Sequence, residues 1–137
     1  MTTTSSVNDN AVINIQGISD PTIYEYFTKL NNDEFAAVTE LFSEQGSLTP
    51  PFDKLIQGKR DIFQYLEKEA KGIKSCPEQG ETMQKGSLTE YQIQGTVEIS
   101  QFIFNTEWFI QLNSDQEIVI IEVKLAASLE NLLDFKL

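Results

Sequence analysis

The sequence contains no histidine and only one cysteine, Cys76. Without histidine, the chain lacks the general base of Ser-His-Asp and Cys-His catalysis and the commonest metal ligand. A single cysteine cannot form a disulfide within the chain, which agrees with a reducing cytoplasm. Any enzymatic activity would therefore have to use carboxylates, tyrosines or lysines.

Basic residues are also scarce, since 10 lysines and arginines stand against 21 aspartates and glutamates, for a net charge of −11. Nucleic acids and anionic membrane surfaces are bound by basic patches, so we expect neither as a partner. No apolar run approaches the roughly 18 residues of a membrane span, and the N-terminus lacks the pattern of a secretory signal. We therefore expect a cytoplasmic protein without stable membrane insertion.

The length of 137 residues suits one domain that buries a core of its own. Residues 1–10 are mostly Thr, Ser, Asn and Asp, with almost nothing to bury, and are predicted to be a disordered tail. Residues 11–137 are predicted to form a single domain. Its first segment, residues 11–18, is predicted to be an extended arm that packs across a sheet or a partner.

The stretch 102–112 holds the only tryptophan and three phenylalanines. Because alternate side chains of a strand share a face, one face is predicted to carry Phe102, Phe104, Thr106, Trp108, Ile110 and Leu112. Two interpretations stay open. The face either packs as the core of a sheet, or it lines an apolar ligand pocket in which the indole N–H seeks an acceptor.

Three amphipathic helices are predicted before the long strands. The first begins at Asp20-Pro21, with Asp20 or Ser19 as its N-cap, the second begins at Asp33, and the third follows Gly58. Their inward residues recur at helical spacing: Ile23, Tyr26, Phe27 and Leu30; Phe35, Val38, Leu41 and Phe42; Ile62, Phe63, Tyr65, Leu66 and Ala70.

Period-two patterns predict four antiparallel strands, around 74–83, 87–100, 101–112 and 117–126. A short strand over 46–52 is closed by Pro50-Pro51, and Ser128 caps a short closing helix. The predicted fold class is α+β, with three helices packed on a curved antiparallel four-stranded sheet plus the C-terminal helix.

An ordered set of short motifs resembles the C-terminal domain of the orange carotenoid protein and its free-standing homologues, which have the cone-shaped nuclear transport factor 2-like fold. The resemblance covers roughly residues 12–135. It rests on Tyr26-Phe27, Leu30-Asn31, Leu41-Phe42, Pro50-Pro51-Phe52, Ile56, Gly58-Lys59, Pro77-Glu78, Gly80, Trp108, Leu112-Asn113, Lys124-Leu125, Ala127-Ser128 and Leu132-Leu133.

The resemblance implies a ketocarotenoid ligand, such as canthaxanthin or echinenone, bound by a non-enzymatic carrier or photoprotective quencher. By position, Tyr26 and Trp108 are the two hydrogen-bond donors to the ring carbonyl. Two donors make sense, because burying an unpaired carbonyl costs a few kcal/mol. The candidate walls of the cavity are Leu30, Ala70, Ile73, Val97, Ile99, Phe109, Val123 and Leu125.

The resemblance also implies protein partners. Glu69 matches a carboxylate that pairs with an arginine of a helical carotenoid-binding domain, so a separate helical protein is a candidate partner. An extended pigment is longer than one small domain, and we therefore expect a homodimer that encloses both of its ends.

Two other functions stay open. A ketosteroid-isomerase or dehydratase-like enzyme would use Tyr26 as a donor and a carboxylate as a base, but Glu98, Glu107 and Glu122 are predicted to face outward. A filled cone that serves only for dimerisation is the other alternative, because the bulky Phe102–Phe104 run could occupy the interior.

Overall fold

The computed structural model describes residues 12–126. The predicted tail and the predicted C-terminal helix lie outside the described residues. The elements are α1 (Pro21–Asn31), α2 (Phe35–Glu40), β1 (Phe42–Thr49), β2 (Ile56–Gln57), α3 (Lys59–Glu69), β3 (Lys74–Lys85), β4 (Leu88–Ile99), β5 (Phe102–Leu112) and β6 (Ile118–Ala126).

One curved sheet has the strand order β2-β1-β6-β5-β4-β3. Strands β3 to β6 form the predicted antiparallel meander. The sheet has six strands instead of four, because β1 pairs in parallel with β6 and β2 pairs with β1. The short strand predicted over 46–52 is part of β1, which begins earlier, at Phe42, and ends at Thr49. Strand β2 was not predicted, and it has only two residues. The α+β fold itself is confirmed.

The second helix is shorter than predicted. It was expected to begin at Asp33 and to include Leu41 and Phe42, but α2 covers only Phe35–Glu40. Asp33 has a φ of 60°, outside the helical range, and Phe42 is fully buried as the first residue of β1. A buried phenylalanine satisfies a helical and a strand pattern equally well, so tertiary pairing decides its structure.

The first helix begins as predicted. The Asp20 carboxylate accepts a hydrogen bond from the Thr22 backbone N–H at 2.9 Å, which is an N-cap contact. Its other oxygen accepts a hydrogen bond from the Tyr91 hydroxyl, with an oxygen–oxygen distance of 2.8 Å. This bond joins the start of α1 to β4. Among residues 12–126, no helix combines the length and apolar composition that a membrane crossing requires.

The segment before α1 belongs to the folded core. Gln16 bridges to β3 in parallel, through bonds from its N–H to Glu78 O and from Gly80 N–H to its carbonyl, both 2.9 Å long. The side chains of Ile15 and Ile18 on either side are buried. The arm was predicted to pack across a sheet or a partner, and in the structure it packs against the sheet, at β3.

The end of α1 is held against β3 by one amide side chain. Asn31 Oδ1 accepts from the Ser75 N–H, and Asn31 Nδ2 donates to the Ser75 carbonyl, each at 2.7 Å. Lys74 Nζ adds a bond to the Asn31 carbonyl at 2.7 Å. The Asn31 side chain thus pairs with the backbone of Ser75 as a neighbouring strand would.

We expect Asn31→Ala to lower the free energy of unfolding by about 1–3 kcal/mol, because it leaves two backbone groups of a buried residue without partners. Urea denaturation measures this change. Asn32→Ala is the matched control, since Asn32 is exposed, and it should cost under about 0.5 kcal/mol. Equal losses for the two variants would contradict the importance of this pairing.

Candidate functional site

A cavity of about 280 Å³ lies between the helices and the inner face of the sheet. Its walls are mostly apolar and come from α1, α3, five strands and two loops. They are formed by Tyr26, Leu30, Leu48, Pro50, Pro51, Phe52, Tyr65, Leu66, Ala70, Ile73, Ser75, Val97, Ile99, Trp108, Val123 and Leu125.

The two predicted donors, Tyr26 and Trp108, both line this cavity. Tyr26 lies on α1 and Trp108 on β5, and their side chains are 3% and 2% exposed. Phe27 contacts both rings edge-on, with centroid distances of 5.1 Å to Tyr26 and 5.0 Å to Trp108. These contacts limit how far either ring can turn.

Neither the Tyr26 hydroxyl nor the Trp108 indole N–H has a hydrogen-bond partner within residues 12–126. In the same part of the chain, no side-chain polar atom is both fully enclosed and unpartnered. Both groups therefore face cavity space. Each group can therefore donate a hydrogen bond to a ligand in the cavity that carries an acceptor.

The phenols of the cavity are neutral at ordinary pH. Burial raises the pKa of the Tyr26 hydroxyl, and the neighbouring Tyr65 raises this pKa further. Burial also raises the pKa of Tyr65, with smaller contributions from the charges of Glu69 and Asp53. A neutral Tyr26 keeps the proton that it needs as a hydrogen-bond donor.

All predicted wall residues except Phe109 line the cavity: Leu30, Ala70, Ile73, Val97, Ile99, Val123 and Leu125. Phe109 instead lines a polar concavity on the other face of the sheet, together with Gln92, Glu107 and Lys124. The reason is geometric, since adjacent residues of a strand point to opposite faces and Phe109 follows Trp108. Phe109 therefore does not line the cavity between the helices and the sheet.

Most of the residues predicted to share the inner face of β5 are buried: Thr106, Trp108, Ile110 and Leu112. Phe104 is half-buried, and Phe102 is 50% exposed at the start of the strand. None of Phe102, Ile103 and Phe104 lines the cavity. The interior therefore stays open at the place where these residues could have filled it.

Further lining residues were not predicted as site residues: Leu48, Pro50, Pro51, Phe52, Tyr65, Leu66 and Ser75. Tyr65 and Leu66 were already predicted to face inward from the third helix. The position of Ser75 follows from its pairing opposite Val97, which also lines the cavity. Phe52 both lines the cavity and is 85% exposed, so it stands at the mouth.

Glu69 is exposed at the end of α3 and does not line the cavity. Its charge nevertheless contributes to the raised pKa of Tyr65, so it lies beside that wall. No Asp or Glu of the described chain lines the cavity, and residues 12–126 contain no cluster of three His, Cys, Asp or Glu side chains suited to a metal ion. The polar groups of the site are hydroxyls and one indole N–H.

Comparison with known proteins agrees with this architecture. The chain is 30% identical to the orange carotenoid-binding protein of Synechocystis over 128 residues, which are 90% of this chain and 40% of that protein. The chain thus spans about 40% of the length of the curated relatives that it matches. No family model matches the sequence.

Solved structures give the same result. The orange carotenoid protein of Anabaena (Nostoc), solved with canthaxanthin bound, matches 93% of this chain and 42% of its own, with a TM-score of 0.84 and 28% identity. A nuclear transport factor 2-like protein from Cytophaga hutchinsonii matches 83% of this chain and 95% of its own, with a TM-score of 0.61 and 15% identity. The latter likeness supports the nuclear transport factor 2-like fold.

The buried phenol of Tyr26 makes stability depend on pH at the alkaline end. Its pKa is raised in the folded protein, so its contribution is complete below about pH 10, the value for an unfolded tyrosine. Above that pH the unfolded chain loses the proton while the folded chain keeps it, and the free energy of unfolding falls. Urea denaturation at several pH values should show a shallower fall for Tyr26→Phe than for the wild type. Parallel curves would contradict this assignment.

Proposed function

From the homology of this chain to the C-terminal domain of orange carotenoid proteins, we propose that it is a non-enzymatic ketocarotenoid-binding module. It holds the carbonyl end ring of the pigment in the cavity between helices and sheet. The single observation that carries the proposal is the pair of unpartnered donors, Tyr26 and Trp108, facing one apolar cavity.

The chemistry of the pair fits a ring carbonyl. A carbonyl oxygen that leaves water loses its hydrogen bonds, and two donors from opposite walls restore them. Both groups can donate at neutral pH, because the Tyr26 phenol keeps its proton and the Trp108 indole carries an N–H. Apolar residues such as Val97, Ile99 and Leu125 would then contact the hydrocarbon part.

The size of the cavity supports a pigment that is shared between two copies of the chain. A volume of about 280 Å³ lies just below the usual range for ligand pockets, roughly 300–1,000 Å³, and suits one end of a long pigment. The remaining polyene would leave through the mouth, where Pro50, Pro51 and the exposed Phe52 offer apolar contacts. We infer a homodimer in which two copies enclose the two ends of one pigment.

A separate helical carotenoid-binding protein is the second partner that we propose. Glu69 is exposed beside Tyr65 and could pair with an arginine of such a protein during transfer of the pigment. An exposed pair of this kind contributes little affinity, and its role would be to orient the partner. Carriage or photoprotective quenching in the cytoplasm would be the cellular role.

The two alternatives receive less support. An isomerase-like enzyme needs a carboxylate base in the cavity, whereas the described walls provide none, and Glu107 and Glu122 line the concavity on the other face. A filled dimerisation module would lack an interior volume. The open cavity beside Trp108 therefore favours a ligand-binding role.

Production together with canthaxanthin should yield a coloured protein whose absorption is shifted to the red. We expect Tyr26→Phe and Trp108→Phe each to weaken loading roughly two- to tenfold, because each removes one hydrogen bond worth about 0.5–1.5 kcal/mol. Tyr91→Phe is the control, since it removes a phenol hydroxyl that does not line the cavity. A colourless wild type, or variants that load as well as the control, would refute the assignment.

The homodimer predicts a stoichiometry of one pigment for two chains. Light scattering should give the mass of a dimer for the loaded protein, and absorbance should give the pigment content of the same fraction. We expect Phe52→Ser to reduce the dimer fraction, because it removes an apolar ring from the mouth of the cavity. Phe109→Ser, on the other face of the sheet, is the control. One pigment per monomer would contradict the shared cavity.

A further inference from the structure

Ser75 is a polar residue of the cavity wall that has no role in the proposed binding of the ring carbonyl. It lies at the start of β3 opposite Val97, and it is 6% exposed. It lines the same cavity as Tyr26 and Trp108. Its hydroxyl has no hydrogen-bond partner in the described part of the chain, and it is not sealed from open space.

The backbone groups of Ser75 already have partners in Asn31. Both the N–H and the carbonyl of Ser75 are bonded to the side-chain amide of Asn31 at 2.7 Å. The same contact fixes Ser75 relative to α1, the helix that also carries Tyr26. The hydroxyl is therefore held at a set place in the cavity, and unlike an indole N–H it can donate and accept.

A hydroxyl that is buried in an apolar wall lowers the affinity for a purely hydrocarbon surface, because the ligand cannot replace its hydrogen bonds. The same hydroxyl raises the affinity for a ligand that places a second polar group beside it. Serine is also smaller than the valine, leucine and isoleucine residues around it, so it leaves space for a substituent.

We propose that the cavity selects an end ring carrying a hydroxyl in addition to its carbonyl, and that Ser75 is the residue that binds this hydroxyl. This inference rests on the proposed function, because it assumes that Tyr26 and Trp108 hold the carbonyl. It adds a specificity determinant to the site. The ligand class becomes hydroxylated ketocarotenoids, as distinct from ketocarotenoids without a ring hydroxyl.

The test compares two pigments of similar length: astaxanthin, whose rings carry both groups, and canthaxanthin, whose rings carry only the carbonyl. Purified wild type is titrated with each pigment, and affinity is read from the red shift of absorption. We expect astaxanthin to bind roughly two- to tenfold more tightly, the value of one hydrogen bond. Ser75→Ala should remove this preference and leave canthaxanthin binding at least as strong.

Two variants serve as controls. Ser47→Ala removes a buried serine of β1 that does not line the cavity, and it should keep the preference. Tyr65→Phe removes the other hydroxyl of the wall that the carbonyl pair leaves unused, and it should also keep the preference. Loss of selectivity in Tyr65→Phe but not in Ser75→Ala would overturn the assignment of Ser75.

The remaining outcomes separate this inference from the proposed function. Equal affinity of the wild type for both pigments would overturn the inference and leave carotenoid binding intact. Failure of the wild type to bind either pigment would refute the proposed function and the inference with it. A folded Ser75→Ala protein, checked by its melting temperature, ensures that lost selectivity reflects the missing hydroxyl.

Discussion

The edge-on packing of Phe27 between Tyr26 and Trp108 connects the two layers of the fold at the point where the cavity begins. Phe27 is fully buried, so its ring cannot move without opening the core. Because helix α1 and strand β5 each bring one donor, their separation is set by this aromatic contact. The orientation of the donors is thus built into the core, and a ligand does not have to create it.

The cavity combines a few uncharged polar groups with mostly apolar walls. Burial raises the pKa values of Tyr26 and Tyr65, so neither phenol supplies a negative charge. Glu69 and Asp53, whose charges also raise the pKa of Tyr65, do not line the cavity. A charged ligand would find no opposite charge inside. The electrostatics therefore agree with a long uncharged molecule that has few polar atoms, and the acidic surface of the protein has no direct part in holding it.

Much of the fold could be predicted because its signals were local. The N-cap at Asp20, the helical spacing of Ile23, Tyr26 and Phe27, and the alternation of the long strands all appear in the structure. Phe42 could not be assigned, because a buried phenylalanine at a helix end also suits a strand. The parallel pairing of β1 with β6 is non-local, and short segments do not reveal such partners.

Most residues of the site could be predicted from the sequence, but the open space between them could not. The resemblance predicted Tyr26 and Trp108 as donors, and both line the cavity. Strand parity, applied to every residue, would have excluded Phe109 from the cavity walls and included Ser75. The sequence alone could not reveal that the cavity is open. That property depends on where the bulky Phe102–Phe104 run points relative to the helices, which is a matter of tertiary packing.

The bonds that Gln16 and Asn31 make to β3 also determine how copies of the chain can meet. An edge strand with free backbone groups recruits another strand, which is how many proteins begin to aggregate. At Ser75, Glu78 and Gly80 those groups are already bonded to the arm or to the amide of α1. An incoming strand would find its ladder interrupted at these residues. Association between copies of the chain is thereby directed toward side-chain surfaces instead of the edge of β3.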